Sequence, residues 1–189
     1  MEAGCDEAGR GCFAGPVFAA AVILNPGFHH PFLNDSKKLT AQQREEIRPV
    51  IEREALAWAV ASVDNEVIDS INILKASFRA MQLALRKLSP QPGLILVDGN
   101  RFTGYENIPH QCIIRGDGEY ASIAAASILA KTHRDEFMIN LHHEFPVYEW
   151  QKNKGYGTAD HRKAILQHGL CRYHRRSFQL RPQPQIPFN

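Results

Sequence analysis

The chain has 189 residues, 44% of them hydrophobic and 22% charged, with a formal net charge of +2; this is the balance of a single globular domain with a full core, not of a disordered chain. No apolar run approaches the roughly 18 residues that a membrane-spanning helix requires. The start, "MEAGCDEAGRG", has neither a basic n-region nor an apolar h-region, so a cytoplasmic location is expected, and Cys5, Cys12, Cys112 and Cys171, without CxxC spacing, read as free thiols.

Along the chain, two adjacent acids, Asp6 and Glu7, are followed at once by Gly9, Arg10 and Gly11 and then by "VFAAAVIL". That run is apolar on both alternating faces, which predicts a strand covered on both sides, with Asp6 ending a short strand before it. After the loop "NPGFHHPFLNDSKKL", Thr40 and Gln43 have the spacing of a capping box, and Ile47, Val50 and Ile51 share one face of the helix it opens. Pro49 is expected to kink or divide that helix.

"ALAWAVASV" at 55–63 alternates like a strand, and "NEVIDSINILKASFRAMQLALRKL" predicts helix in two pieces. "GLILVDG" at 93–99 is a short buried strand ending in Asp98 and Gly99; "PHQCIIRG" is another strand. The longest helix follows in "EYASIAAASILAKTHRDEFMINLHHEF", where Ala121, Ala124, Ala125, Ala126, Ser127 and Ala130 offer small side chains for close approach to a sheet. A last helix, from about Asp160 to His168, closes at Gly169, and the proline-rich tail "RPQPQIPFN" reads as an extended end. Five strands with helices alternating later in the chain predict an α/β domain built on a mixed sheet.

Charge is unevenly spread. Residues 151–182 carry eight Lys and Arg against Asp160 alone, a surplus of +7 set against −5 in the rest. Such a segment suits a polyanion, or is simply a solvated helical face.

The acids stand where strands end. Asp98 closes a buried strand, Asp6 closes the first, and if these strands are neighbours their carboxylates converge at one edge of the sheet. Asp117 follows the next strand and precedes the long helix. Gathered carboxylates repel and raise one another's pKa unless a divalent cation lies between them, and an oxygen-only ligand set suits Mg²⁺ or Mn²⁺ in the paired clamp of phosphodiester hydrolysis. Each acid also has a structural reading: Asp117 can cap the following helix, with Glu119 a rival ligand, and Asp98 before Gly99 can be a turn residue.

Six blocks, "DEAGRG", "NDSKKLT", "LVDGN", "GD" followed by "SIAAASILAKTHRD", "NKGYGTADHRKAI" and "HRRSF", occur in an order that resembles ribonuclease HII, the bacterial type 2 ribonuclease H family, across residues 3–178. The resemblance implies a ribonuclease H-like fold, a mixed five-stranded sheet flanked by helices, with residues 1–145 as catalytic core and 146–189 as a C-terminal helical substrate-binding segment and tail. It implies an endonuclease that hydrolyses the RNA strand of RNA–DNA hybrids and cuts on the 5′ side of single ribonucleotides in duplex DNA, leaving 3′-hydroxyl and 5′-phosphate ends. Two Mg²⁺ or Mn²⁺ ions would be held by Asp6, Glu7, Asp98 and, as fourth carboxylate, Asp117.

Gly9, Arg10 and Gly11 resemble the family's substrate-reading turn, whose backbone approaches the ribose 2′-hydroxyl. Tyr156 matches the tyrosine that packs on that ribose, and Lys37, with Lys38, is a candidate phosphate contact. A monomer is the family expectation, and the tail's "QPQIPFN" is a candidate contact for a replication clamp or simply a disordered end. Two other readings remain open at this level: a transposase-like two-metal nuclease, which needs no glycine turn or Tyr156, and a non-catalytic nucleic-acid-binding module, which needs no acids.

Overall fold

The structure, a computed structural model, describes residues 1–34 and 39–178; Lys37, Lys38 and the C-terminal tail lie outside the described residues. Five strands form one sheet: β1 (Glu2–Ala8), β2 (Val17–Leu24), β3 (Ala55–Val63), β4 (Leu94–Asp98) and β5 (His110–Ile113), in the order β3-β2-β1-β4-β5. The first three pair as an antiparallel meander, while β4 lies parallel to β1 and β5 parallel to β4. The predicted mixed sheet is therefore present, and β1 continues two residues beyond Asp6.

Strand alternation sorts the core into two layers. Ala3, Cys5, Ala19, Ala21, Ile95 and Val97 face α3 (Ile73–Arg86), which follows the short α2 (Asn65–Ile71). Within α3, Ala76, Ala80, Met81, Ala84 and Leu85 recur at helical spacing and are buried. Each of the larger side chains removes about 1.5–3 kcal/mol of apolar surface energy from water. Ala20 and Val22 face the other way, toward α1 (Ala41–Glu54) and α4 (Ala121–Glu144).

The small residues of α4 do what their size predicts, since Ala124, Ala125, Ala126 and Ala130 are buried beneath the sheet. The sheet answers with its own small residue. A Cβ on Gly4 of β1 would lie 2.1 Å from the Ser122 carbonyl carbon, so any side chain there would push the start of α4 off the strand.

The predicted capping box at Thr40 and Gln43 is formed in both directions. Helix α1 is not divided at Pro49; it runs as one element through that residue. Glu45, whose carbonyl lacks the bond Pro49 cannot donate, is exposed, so water can satisfy it, while buried Ile47 and Ile51 anchor the helix on either side.

The C-terminal part contains α5 (Trp150–Asn153), which the sequence reading lacked, and α6 (Ala159–His168). Tyr148, Trp150, Ala164 and Ile165 form a third cluster with Ala14, Met138 and Leu141, so this segment packs on the loop after β1 and on the end of α4. Residues 169–174 follow a turn in which Gly169 accepts from the Tyr148 hydroxyl at 3.0 Å and Arg172 accepts from Asn65 at 2.8 Å. Among the described residues no helix is long and apolar enough to cross a membrane, and all four cysteines are free.

Candidate active site

The parallel register pairs Cys5 with Val97, which sets the next residues, Asp6 and Asp98, side by side. Alternation turns both toward α4, where the Ser127 hydroxyl donates to Asp6. Glu7 belongs to the opposite face but reaches the same cleft from the strand end, held by Arg10 at 3.0 Å. This cleft, of about 440 Å³, is lined by Asp6, Glu7, Asp98, Gly9, Arg10, Gly11 and Tyr156, together with Arg44, Ser127 and Lys131.

The electrostatics match carboxylates assembled before a cation arrives. Burial, then the neighbouring Glu7 and Asp98, push the Asp6 carboxyl well above its ordinary range, against the opposing bonds from Ser127 and from the Glu7 N–H at 2.7 Å. Burial also raises Glu7, and the Arg10 guanidinium draws it back. Asp98 accepts the Gly116 N–H at 2.8 Å, which ties the end of β4 to the short 3₁₀ turn Gly116–Gly118.

Asp117 lies in that turn, 2% exposed, one residue beyond the Asp98 contact, and is not among the residues lining the cleft; Glu119 is exposed. Among the described residues no three Asp, Glu, His or Cys side chains stand close enough together to hold an ion as they are. Glu7 is engaged by Arg10 instead. The donor set still fits a hard divalent cation: oxygen ligands only, with Asp6 and Glu7 both raised, mainly by burial and in part by neighbouring carboxylates.

The wall facing the acids is built differently. Gly9 has φ 93°, and a Cβ there would sit 1.9 Å from Arg134 Nε. Gly155 and Gly157, on either side of Tyr156, are needed for packing: their Cβ atoms would meet the Ala14 carbonyl oxygen at 2.6 Å and the Phe13 ring at 2.4 Å. Tyr156 itself is 41% exposed, with Lys131 Nζ 5.5 Å from its ring centre and its hydroxyl beside the Cys12 thiol.

Two arginines, each 0% exposed, hold this wall. Arg134 of α4 donates to the carbonyls of Pro16, Lys154 and Ala14. Arg175 donates to those of Gly15 and Arg10. The basic C-terminal segment is thus not a uniform polyanion face. Arg175 is internal, Arg172 pairs with Glu144 and Lys152 with Glu149, while Lys152, Lys163 and Arg176 are exposed.

Below Tyr156 lies a buried imidazole chain. His161 meets the Tyr156 carbonyl through Nδ1 at 2.9 Å and accepts from Trp150 Nε1 at 3.1 Å; His174 Nε2 is 3.2 Å from His161 Nε2. His174 Nδ1 accepts from the Cys171 N–H at 3.0 Å. These contacts require neutral rings with the protons on His161 Nδ1 and His174 Nε2. Burial lowers both, and the neighbouring ring helps bring His174 to about 4.

Sequence reading did not find Arg44, Lys131, Arg134, His161, His174 or Arg175 as site-building residues. One signal was available: Ser127, Lys131 and Arg134 fall at i, i+4 and i+7, the spacing of one helix face.

Known proteins align with this arrangement over nearly the whole chain. Residues 3–181 match the family model described as Ribonuclease HII. The chain is 59% identical over 189 residues to a ribonuclease HII of Bacteroides thetaiotaomicron, covering 100% of this chain and 94% of that one. It superposes with a TM-score of 0.77 on a structure of the PCNA:RNase HII complex from Archaeoglobus fulgidus, at 24% identity and 98% coverage of both chains. With Bst-RNase HIII in complex with Mn²⁺ the TM-score is 0.70 at 20% identity, covering 95% of this chain and 67% of that one. At those identities the two structures speak to the fold, which is ribonuclease H-like, the mixed five-stranded sheet flanked by helices.

Proposed function

The chain belongs to the ribonuclease HII family and is a type 2 ribonuclease H acting on RNA–DNA hybrids, and from that premise we propose that it cuts on the 5′ side of single ribonucleotides in duplex DNA by two-metal-ion hydrolysis. The observation that carries this reading is the side-by-side placement of Asp6 and Asp98, with Glu7, in one cleft with the Gly9 to Gly11 turn and Tyr156.

The family is divalent-metal dependent, and a structural neighbour binds Mn²⁺; here Asp6, Glu7 and Asp98 would hold Mg²⁺ or Mn²⁺, with Asp117, buried in the turn beside Asp98, as the fourth carboxylate. When bound, the ions supply Lewis-acid activation of water and charge stabilisation at the leaving oxygen. The chain's own residues do the rest. Gly11 presents backbone rather than a side chain to the sugar, and Tyr156 packs against the ribose. Lys131 and Arg44 at the rim neutralise phosphate charge, as does Lys37. Lys152, Lys163 and Arg176, in the substrate-binding segment that starts at residue 146, add salt-sensitive affinity for the duplex. The products carry a 3′-hydroxyl and a 5′-phosphate.

The protein works as a cytoplasmic monomer in this reading, and the tail after residue 178 is its candidate clamp contact, in line with the archaeal relative solved with PCNA.

The test is direct. Incubated with Mg²⁺ or Mn²⁺, the protein cuts a duplex containing one ribonucleotide on its 5′ side, leaves an all-DNA duplex intact, and loses cutting in Asp98→Asn. Folded protein that cuts hybrid but never the single-ribonucleotide duplex would overturn the specificity. Cleavage preserved in Asp98→Asn would overturn the assigned chemistry.

A further inference from the structure

We infer that Arg175 is a positioning residue for ribonucleotide recognition: by holding the Arg10 carbonyl from inside, it turns the Gly11 N–H out into the cleft as a donor to the RNA strand. This rests on the reading of the cleft proposed above.

In a planar trans peptide the C=O of one residue and the N–H of the next point in opposite directions. The buried guanidinium groups of Arg134 and Arg175 fix five carbonyls around the cleft wall, so each fixed carbonyl dictates where the following N–H points. For the Ala14–Gly15 unit, that N–H reaches the Tyr173 carbonyl at 2.9 Å. For Lys154–Gly155 it reaches Asn153 Oδ1 at 2.8 Å. Gly15 precedes proline and offers no donor, and Pro16 leads into β2.

The Arg10–Gly11 unit is the exception. Its carbonyl is held by Arg175 Nη1 at 2.9 Å, yet the Gly11 N–H has no acceptor among the described residues.

Glycine at this position has no internal reason. Gly9 needs its left-handed backbone and collides with Arg134 if given a Cβ, whereas Gly11 has neither a left-handed φ nor any atom within 4 Å of where its Cβ would be. The chain's own packing tolerates a side chain there. What excludes one is an approach from the cleft side, which Gly11 lines, so the open space and the outward N–H identify the same visitor.

Arg175 is a demanding choice for a mere brace. It is fully buried, makes no ion pair among the described residues, and leaves Nη2 without a partner; burial lowers its guanidinium to about 10. A buried cation without a carboxylate is unfavourable. Only a planar fork reaches the carbonyls of residues 10 and 15 at once, and Lys offers a single point donor.

The experiment measures discrimination by fluorescence anisotropy in an Asp98→Asn background, where nothing is cut, with Mg²⁺ present. Affinities are compared for a duplex with one ribonucleotide and for the same all-DNA duplex. The background protein prefers the ribonucleotide. Adding Arg175→Met lowers that preference about tenfold, the effect of one hydrogen bond to a fixed donor, with all-DNA affinity unchanged. Arg175→Lys loses less.

In [¹⁵N]glycine-labelled protein, the cross-peak that Gly11→Ala removes shifts with the ribonucleotide duplex and not with DNA, and this selective shift is lost in Arg175→Met. Folded Arg175→Met that keeps the full preference, or that weakens both duplexes equally, overturns the inference; should that variant not fold, Arg175→Lys is judged by the same ratio. Absence of any preference in the background protein overturns the underlying reading instead, and is visible before Arg175 is changed.

Discussion

The two walls of the cleft are held in opposite ways. Asp6, Glu7 and Asp98 stand on paired strands, so the backbone ladder sets Asp6 beside Asp98, and their like charges are brought together against repulsion. The facing wall, residues 9–16 with 153–157, is mostly irregular chain whose carbonyls are gathered by Arg134 and Arg175, cations from distant parts of the sequence. The acidic wall stores unfavourable charge for a cation to relieve. The other has its carbonyls satisfied internally and leaves the Gly11 N–H without an acceptor among the described residues. A site that must both cut and read thus separates its instability from its precision.

The strongest test of this contrast removes charge from the acidic wall. Asp6→Asn should lower metal-dependent cleavage roughly a thousandfold or more, about 4 kcal/mol of transition-state stabilisation, yet raise the melting temperature in chelator, because burial and two neighbouring carboxylates disfavour the Asp6 charge. Thermal melts alongside single-turnover rates check both, and a lowered metal-free melting temperature would break the comparison.

A smaller effect separates the glycines. Gly9→Ala should destabilise the fold by about 2–3 kcal/mol, from left-handed strain and displacement of Arg134. Gly11→Ala should stay within about 0.5 kcal/mol of the parent in denaturant melts. Equal losses would mean that both glycines serve packing.

The smallest expected effect is in pH dependence. His161 and His174 are neutral in the fold and prefer charge when unfolded, so their contribution is intact above about 6.5 and is lost as pH falls toward about 4. Asp6 acts in reverse. Its raised folded value means the fold holds an extra proton, so acidification from neutral pH restores stability. Melting curves between pH 7 and 4 in chelator should therefore fall more steeply for Asp6→Asn than for the parent; parallel slopes would contradict the assignment.

Much of the acidic wall was legible in the sequence because its determinants are local. The strand pattern of "LILVD" and of the run after Gly15, the strand-end acids, and the Thr40–Gln43 capping box each declare themselves within a few residues. The second wall was legible only in part. Tyr156 and the glycines were found through resemblance to a family, but Arg175 looked like one more residue in a basic run, and His161 and His174 drew no attention. Pro49 misled for the related reason that exposure, which lets water replace the missing bond, is a tertiary property.

By itself, then, the sequence determined the five strands, the longer helices in order, Asp98 at the end of β4 and Asp6 close to the end of β1, since periodicity and turn chemistry act over a handful of neighbours. Only the tertiary structure decided that Asp6 and Asp98 adjoin in parallel register. It alone put Arg10 on Glu7, and it carried Arg175 across 165 residues to the Arg10 carbonyl. Burial gives a guanidinium or an imidazole its role here, and burial is a sum over the whole chain that no local stretch contains.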